Sequence, residues 1–138
     1  MKKNITEYIK DILFCIDRIE RSIKDISFEE YVSKIDKIDI VERNLIKMGD
    51  VVERIPFEVQ RQYENIHWSE IKSLRNRLTH EYPDIKNDIV WDVIKKDLPE
   101  LKNNLMFIRE KLDPCQKEKN EYGIWSDLKF SEGRNGQD

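Results

Sequence analysis

Arg75, Asn76, His80 and Tyr82 stand within the eight residues RNRLTHEY of a 138-residue chain that has only two histidines. These are residue types that phosphodiester cleavage uses. An imidazole exchanges protons near neutral pH. A guanidinium stays charged and grips a phosphate through two donors. His80 would move a proton, and Arg75 would neutralise the charge that develops on the phosphorane. RNA brings its own nucleophile, the ribose 2′-hydroxyl, so such a site needs no metal and no cofactor. The cut would leave a 2′,3′-cyclic phosphate, and DNA would be inert by this route. In-line cleavage profits from a base on one side and an acid on the other, and the chain offers one well-placed histidine. A two-fold dimer would supply the second, so a homodimer is expected.

The same residues have an ordinary reading. Arg, Asn, Thr and His near a helix end often satisfy carbonyls or face solvent. On the residues alone this reading leads. Tyr82 before Pro83 reads as a packing residue whose hydroxyl reaches water, and His67 as a loop residue. Neither histidine has metal-ligand spacing with Cys or acidic partners, so zinc is not expected. Lys72, Arg75, Arg77 and Lys86 could form a modest basic patch, diluted by Glu70, Glu81 and Asp84. Trp91 and Leu98-Pro99 read as core. There is no glycine-rich phosphate loop, serine-nucleophile signature or paired-carboxylate motif.

The elements that must position these groups are helical. Apolar residues at Ile5, Tyr8/Ile9, Ile12, Ile16, Ile19, Ile23 and Ile26 draw one stripe on a helix of about 22 residues, ~33 Å long. Asn4 and Glu7 form a candidate capping box at its start, as do Ser27 and Glu30 for a short second helix, SFEEYVSK. A third stripe runs Ile38, Val41, Leu45, Met48, Val52, Ile55 and stops at Pro56. A polar connection with room for one helical turn follows. The fourth helix starts with Ser69 as cap, carries Ile71, Leu74 and Leu78, and reaches His80 and Tyr82 before Pro83 stops it. After the loop PDIKND, a fifth helix runs from Ile89 to Leu112, with Pro99 expected to kink it. The tail 113–138 loses the pattern but keeps Trp125, Leu128 and Phe130, read as partly docked and partly disordered. The expected architecture is one all-α, antiparallel bundle over 1–112, with four main helices and one short one.

On a straight fourth helix, Ile71, Leu74 and Leu78 share the buried face and Asn76 and His80 are neighbours on the opposite side. Arg75 lands on the flank, well around from His80. Three solutions stay open. The helix unwinds before His80, the arginine reaches round, or a second subunit completes the site.

Composition sets the outer bounds. Charged residues make up 38%, apolar ones 38%, and there are four Gly and four Pro, which suits amphipathic helices better than a β-sandwich. At net charge −3, attraction to nucleic acid must come from a local patch. Cys15 and Cys115 make no disulfide framework, so a reducing, cytoplasmic location is expected. The N-terminal stretch is interrupted by Glu7, Lys10, Asp11 and Asp17, which excludes a signal peptide or membrane span there.

RNRLTHEY resembles the R-x4-H-x-Y signature of HepT-type toxins, a branch of the HEPN superfamily of ribonucleases. The flanks are similar too. WSEIKSL before the motif resembles the family's Trp-x-x-Ile approach, and IVWDVIKKDLPEL after it resembles the Val-Trp helix and Leu-Pro-x-Leu segment. SFEEY and RNLIKMGDVV lie where the family carries similar strings, so the likeness covers about residues 5–112. The resemblance implies a HEPN-like helical fold and a metal-independent endoribonuclease toxin, dimeric, with the cleft at the subunit interface. It implies Arg75 and His80 as the catalytic pair and Asn76 as the supporting polar residue. It also implies Tyr82 as the tyrosine that an MntA-type nucleotidyltransferase antitoxin modifies with AMP. The chain departs from the pattern at Gly49-Asp50-Val51, where the family often has Gly-Glu-Ala, and at Lys86, where an acid is expected. That leaves any secondary role of Asp50 open. The rival reading is a non-catalytic helical module that docks a nucleotidyltransferase.

Overall fold

The structure, a computed structural model, describes residues 4–80 and 86–112. The described residues contain helices and no strand, which is the all-α class the apolar periodicity predicts. The elements are α1 (Ile5–Ile23), α2 (Phe28–Ser33), α3 (Ile35–Arg54), α4 (Phe57–Gln62), α5 (Trp68–Thr79), α6 (Asn87–Asp92), a π-helical segment (Val93–Asp97) and α7 (Leu98–Leu112). The chain divides into two compact units, residues 1–104 and 105–138. The account of packing below concerns the first. The tail 113–138, with its expected docking residues, lies outside the described residues.

α3 is the central helix, packed against α1 on one side and α5 on the other. The α1 stripe explains the first contact. Ile9, Ile12, Ile16 and Ile19 are fully buried, each burial stabilising by roughly 1.5–3 kcal/mol. Val41, Leu45, Met48 and Val52 answer them from α3. Asn4 Oδ1 accepts the Glu7 amide at 3.0 Å and caps the start of α1. The helix ends at Ile23, short of the expected Ile26, because Asp25 takes a left-handed conformation with φ 63°. A short polar side chain tolerates that region better than most.

α2 begins at the full capping box the sequence predicts. Ser27 Oγ accepts the Glu30 amide at 3.1 Å and the Ser27 amide donates to the Glu30 carboxylate at 2.9 Å. It tucks Tyr31 completely out of solvent, with the Trp91 ring of α6 5.1 Å away. Trp91 is thus half-buried packing between α2 and α6.

The connection after Pro56 is a six-residue helix, α4, which works as a clasp. The Gln60 amide group donates to the carbonyls of Val52 and Ile55 at 3.2 and 3.1 Å, adding to the Ile55 amide bond that Val52 already accepts at the end of α3. The buried Trp68 indole donates to the carbonyls of Gln60 and Tyr63, both at 3.1 Å. One end of α3 and the start of α5 are therefore fastened to the same short helix. This anchoring also moves the start of α5. Trp68 is its first residue and His67 its N-cap, without a side-chain capping bond. Ser69, the expected cap, is already inside the helix.

The last helix is not one continuous rod. The Leu98 amide bonds to the Val93 carbonyl, five residues back. Pro99 has no N–H, and its ring would collide with the carbonyl four residues earlier in a regular α-helix. A wider π turn just before it relieves that conflict.

Candidate active site

Arg75 and His80 sit on the same helix but in different settings. Arg75 is in the second half of α5, on the face that meets α3, with its side chain 19% exposed. Its Nη2 donates to Glu53 Oε1 at 2.8 Å, and its Nε faces Asp50 Oδ1 at 3.5 Å. That Nε is buried and makes no hydrogen bond. Lys72, one turn earlier, brings Nζ within 3.7 Å of the same Glu53 oxygen. Residue 72 thus meets 53 while residue 75 reaches back to 50, so α3 and α5 run antiparallel, as the sequence predicts.

Gly49 makes this approach possible. It is buried on α3 directly against the stem of Arg75. A Cβ at position 49 would lie 2.6 Å from Arg75 Cγ and closer still to Arg75 Cβ. The obstacle is the root of the side chain rather than its flexible end. The arginine stem therefore lies flat across α3, and its guanidinium emerges beside the two carboxylates.

α5 stops at Thr79, sooner than the expected run to Tyr82. Thr79 Oγ1 donates to the carbonyls of Arg75 and Asn76 at 3.0 and 3.2 Å, occupying acceptors of the last turn. His80 is the C-cap, with φ −89° and ψ 3°, and its amide donates to the Asn76 carbonyl at 3.1 Å. Its side chain is exposed. The assigned helix ends at Thr79, but the His80 amide keeps the helical bond to Asn76, so the chain does not unwind ahead of His80 and the other two solutions stay open. Asn76 is half-buried. Tyr82 lies outside the described residues. The structure thus gathers Arg75 with Asp50, Glu53 and Lys72, and sets His80 at the helix end beyond them.

Glu53 is the neighbour of Arg75 that the sequence reading missed, and Asp50 the one it left open. Both lie on the flank of α3 away from its apolar stripe, where a charged residue reads as a solvated face. Only the pairing of α3 with α5 shows that they share a partner. His67, read as a loop residue, caps α5, with Nδ1 3.6 Å from Glu70 Oε1.

A cavity of about 400 Å³ opens on the Ile71–Leu74 side of α5, lined by Leu45, Met48, Val93 and Leu98 among others. Leu98, expected as core, is both buried and part of that lining. The cavity lies on a different face of α5 from Lys72, Arg75 and Thr79. Among the described residues, no cluster of three or more His, Cys, Asp or Glu could hold a metal ion. No described helix is long and apolar enough to cross a membrane. Cys15, on α1, is buried, and burial pushes its thiol up to about 11.

Known proteins are similar in sequence to this chain. Residues 12–108 match the family model described as ribonuclease HepT-like. Over 91% of its length the chain is 29% identical to a protein of Methanocaldococcus jannaschii named "Gamma-glutamylcyclotransferase and putative RNase", of which it spans only 56%. It is 31% identical, over 75% of its length, to a "Putative RNase" of Caldanaerobacter subterraneus subsp. tengcongensis, 93% of which is covered. Over 80% of its length it is 29% identical to a "Probable ribonuclease HepT" of Thermococcus cleftensis, which is covered completely. No solved structure matches the chain.

The contact at Gly49 yields a stability prediction. Gly49→Ala gains up to about 1 kcal/mol of helix propensity, but overpacking of this kind costs about 1–3 kcal/mol. The Arg75 stem is fixed to its own helix, so overpacking should win. Urea unfolding is expected to show a net loss of about 1 kcal/mol; a stabilised variant would mean that α3 and α5 can part freely there.

Proposed function

Because the chain belongs to the HepT-like ribonuclease family, we propose that it cuts RNA internally through Arg75 and His80, as the toxin of a type VII-like toxin–antitoxin pair. The family match over 12–108, which includes both residues, carries this reading. Two features of the site support it. His80 presents its side chain to solvent at the end of α5. Arg75 holds a shielded but not closed-off guanidinium five residues earlier.

The ribose 2′-oxygen attacks the adjacent phosphorus while the bond to the 5′-oxygen breaks. The products are a 2′,3′-cyclic phosphate and a 5′-hydroxyl. One imidazole takes the proton of the 2′-hydroxyl, and a second, from the other copy in a homodimer, delivers a proton to the leaving oxygen. Arg75 stabilises the extra negative charge on the phosphorane, where a guanidinium beside a partly buried anion acts more strongly than in open water. Asn76, half-buried, supports the pair. The substrate supplies the nucleophile, so the reaction runs without a metal. The nucleotidyltransferase antitoxin silences the enzyme by moving AMP from a nucleoside triphosphate to the Tyr82 hydroxyl, releasing pyrophosphate. The new phosphate charge, two residues from His80, repels an RNA backbone. The pair acts in the cytoplasm.

One observation favours the rival, a non-catalytic module for a nucleotidyltransferase. The charge of Arg75 is already met by Glu53 and Asp50 within the chain. Cleavage assays decide between the two. Purified wild type should cut single-stranded RNA in the presence of a chelator, and His80→Ala and Arg75→Ala should each be slower by roughly 100-fold or more. A wild type that leaves RNA intact while binding the nucleotidyltransferase would establish the rival.

Mixing wild type with excess Arg75→Ala subunits should lower activity more steeply than dilution alone. Strictly proportional loss would mean that each chain carries a complete site. Mass spectrometry of protein co-expressed with the nucleotidyltransferase should find AMP on Tyr82; AMP confined to other tyrosines would remove the proposed switch.

A further inference from the structure

A single carboxylate oxygen joins the two cations nearest the proposed site. Glu53 Oε1 is 2.8 Å from Arg75 Nη2 and 3.7 Å from Lys72 Nζ. The two cationic nitrogens are therefore at most about 6.5 Å apart, the two contacts laid end to end. Glu53 and Lys72 are both about half exposed, at 52% and 46%, whereas Arg75 is 19% exposed. The anion that bridges them is thus the mobile partner. Its ion pairs lie at the solvent edge, where such pairs are weak and side chains keep their freedom to leave. Arg75 does not share that freedom. Its stem is packed on Gly49, and its Nε faces Asp50 as well.

An incoming phosphate and Glu53 would compete for the same ground. Both are oxygen anions, and both suit the outer edge of a guanidinium. The locked arginine stem cannot swing out to meet a substrate, so the exchange has to occur by departure of the carboxylate. Lys72 then loses its partner at the same moment, beside the newly bound phosphate. An ammonium set free next to a single strand has the adjoining phosphate as its natural counter-ion.

We propose that Glu53 holds the place of an RNA backbone phosphate, and that substrate displaces it, giving the scissile phosphate to Arg75 and a neighbouring one to Lys72. This rests on the ribonuclease reading and extends it. Lys72 becomes a substrate-positioning residue outside the cleavage chemistry. Glu53 sets how tightly the strand binds, and Asp50, still on Nε, keeps the guanidinium oriented.

The probe is a short single-stranded RNA carrying 2′-O-methyl at every position, which keeps the phosphates and removes the nucleophile. Glu53→Gln preserves the shape of a half-exposed side chain and removes one negative charge. It should tighten binding of this oligonucleotide by roughly three- to tenfold, the effect of one like charge at close range in a partly exposed site. Lys72→Met should weaken binding and lower the slope of log affinity against log salt by roughly 0.7, one phosphate contact on a single strand. Thermal melting establishes that both variants are folded. Unchanged or weaker binding by Glu53→Gln would overturn the proposal, leaving Glu53 as a mere support for Arg75. So would an unaltered salt slope in Lys72→Met. Cleavage of unmodified RNA, measured alongside, separates two failures. An inert wild type whose oligonucleotide binding still tightens with Glu53→Gln removes the nuclease and keeps the subsite. An active wild type without that tightening removes the subsite alone.

Discussion

The close approach of α3 and α5 at Gly49 governs the rest of the site. Two helices carrying ordinary side chains at this point would be forced apart by at least a methyl group. The absent Cβ lets the Arg75 stem lie on the α3 backbone. Asp50 and Glu53, on the turn that follows, then fall beside the guanidinium. The clasp of α4 sets the register of that approach. Gln60 holds the last carbonyls of α3, and Trp68 bonds back to Gln60 and Tyr63. A slip of one turn between the helices would move Arg75 off Gly49 and onto a residue with a side chain.

The local charge balance follows from the same contact. Lys72 and Arg75 face Asp50 and Glu53, so the cluster is neutral as a group. A chain of net charge −3 cannot draw RNA by its overall field. On the proposed reading the attraction is local, and a shielded guanidinium would supply it with little water left to be stripped away. The accompanying carboxylates prevent a bare buried cation in the absence of substrate, which would itself be destabilising.

Local chemistry made much of the fold legible, and tertiary constraint accounts for what was not. The stripes of α1 and α3 and the Ser27–Glu30 box depend on residues three or four apart, and they appear as expected. Ser69 failed as a cap because the Trp68 indole found carbonyls on α4, a partner that no local pattern reveals. Pro99 was expected to kink the helix, and the structure answers with a π turn just before it. Glu53 was unreadable for a related reason. On α3 alone it is one more charged residue beside Arg54; only the α5 face that it meets gives it a role.

The spacing of Arg75 and His80 sets their side chains on different sides of α5. Five residues on a continuous α-helix turn through roughly 500°, which leaves the two side chains about 140° apart. No rotamer of an imidazole, with its short stem, spans that difference around a helix. The end of α5 at Thr79 leaves this separation in place, because the His80 amide still makes the helical bond to the Asn76 carbonyl and its φ of −89° stays close to the helical value. Thr79 contributes to that ending, because its hydroxyl takes up the carbonyls of Arg75 and Asn76. The arginine is thus fixed by packing against α3, and the histidine by the termination of α5. One constraint makes the charge rigid. The other leaves the imidazole of His80 at the surface.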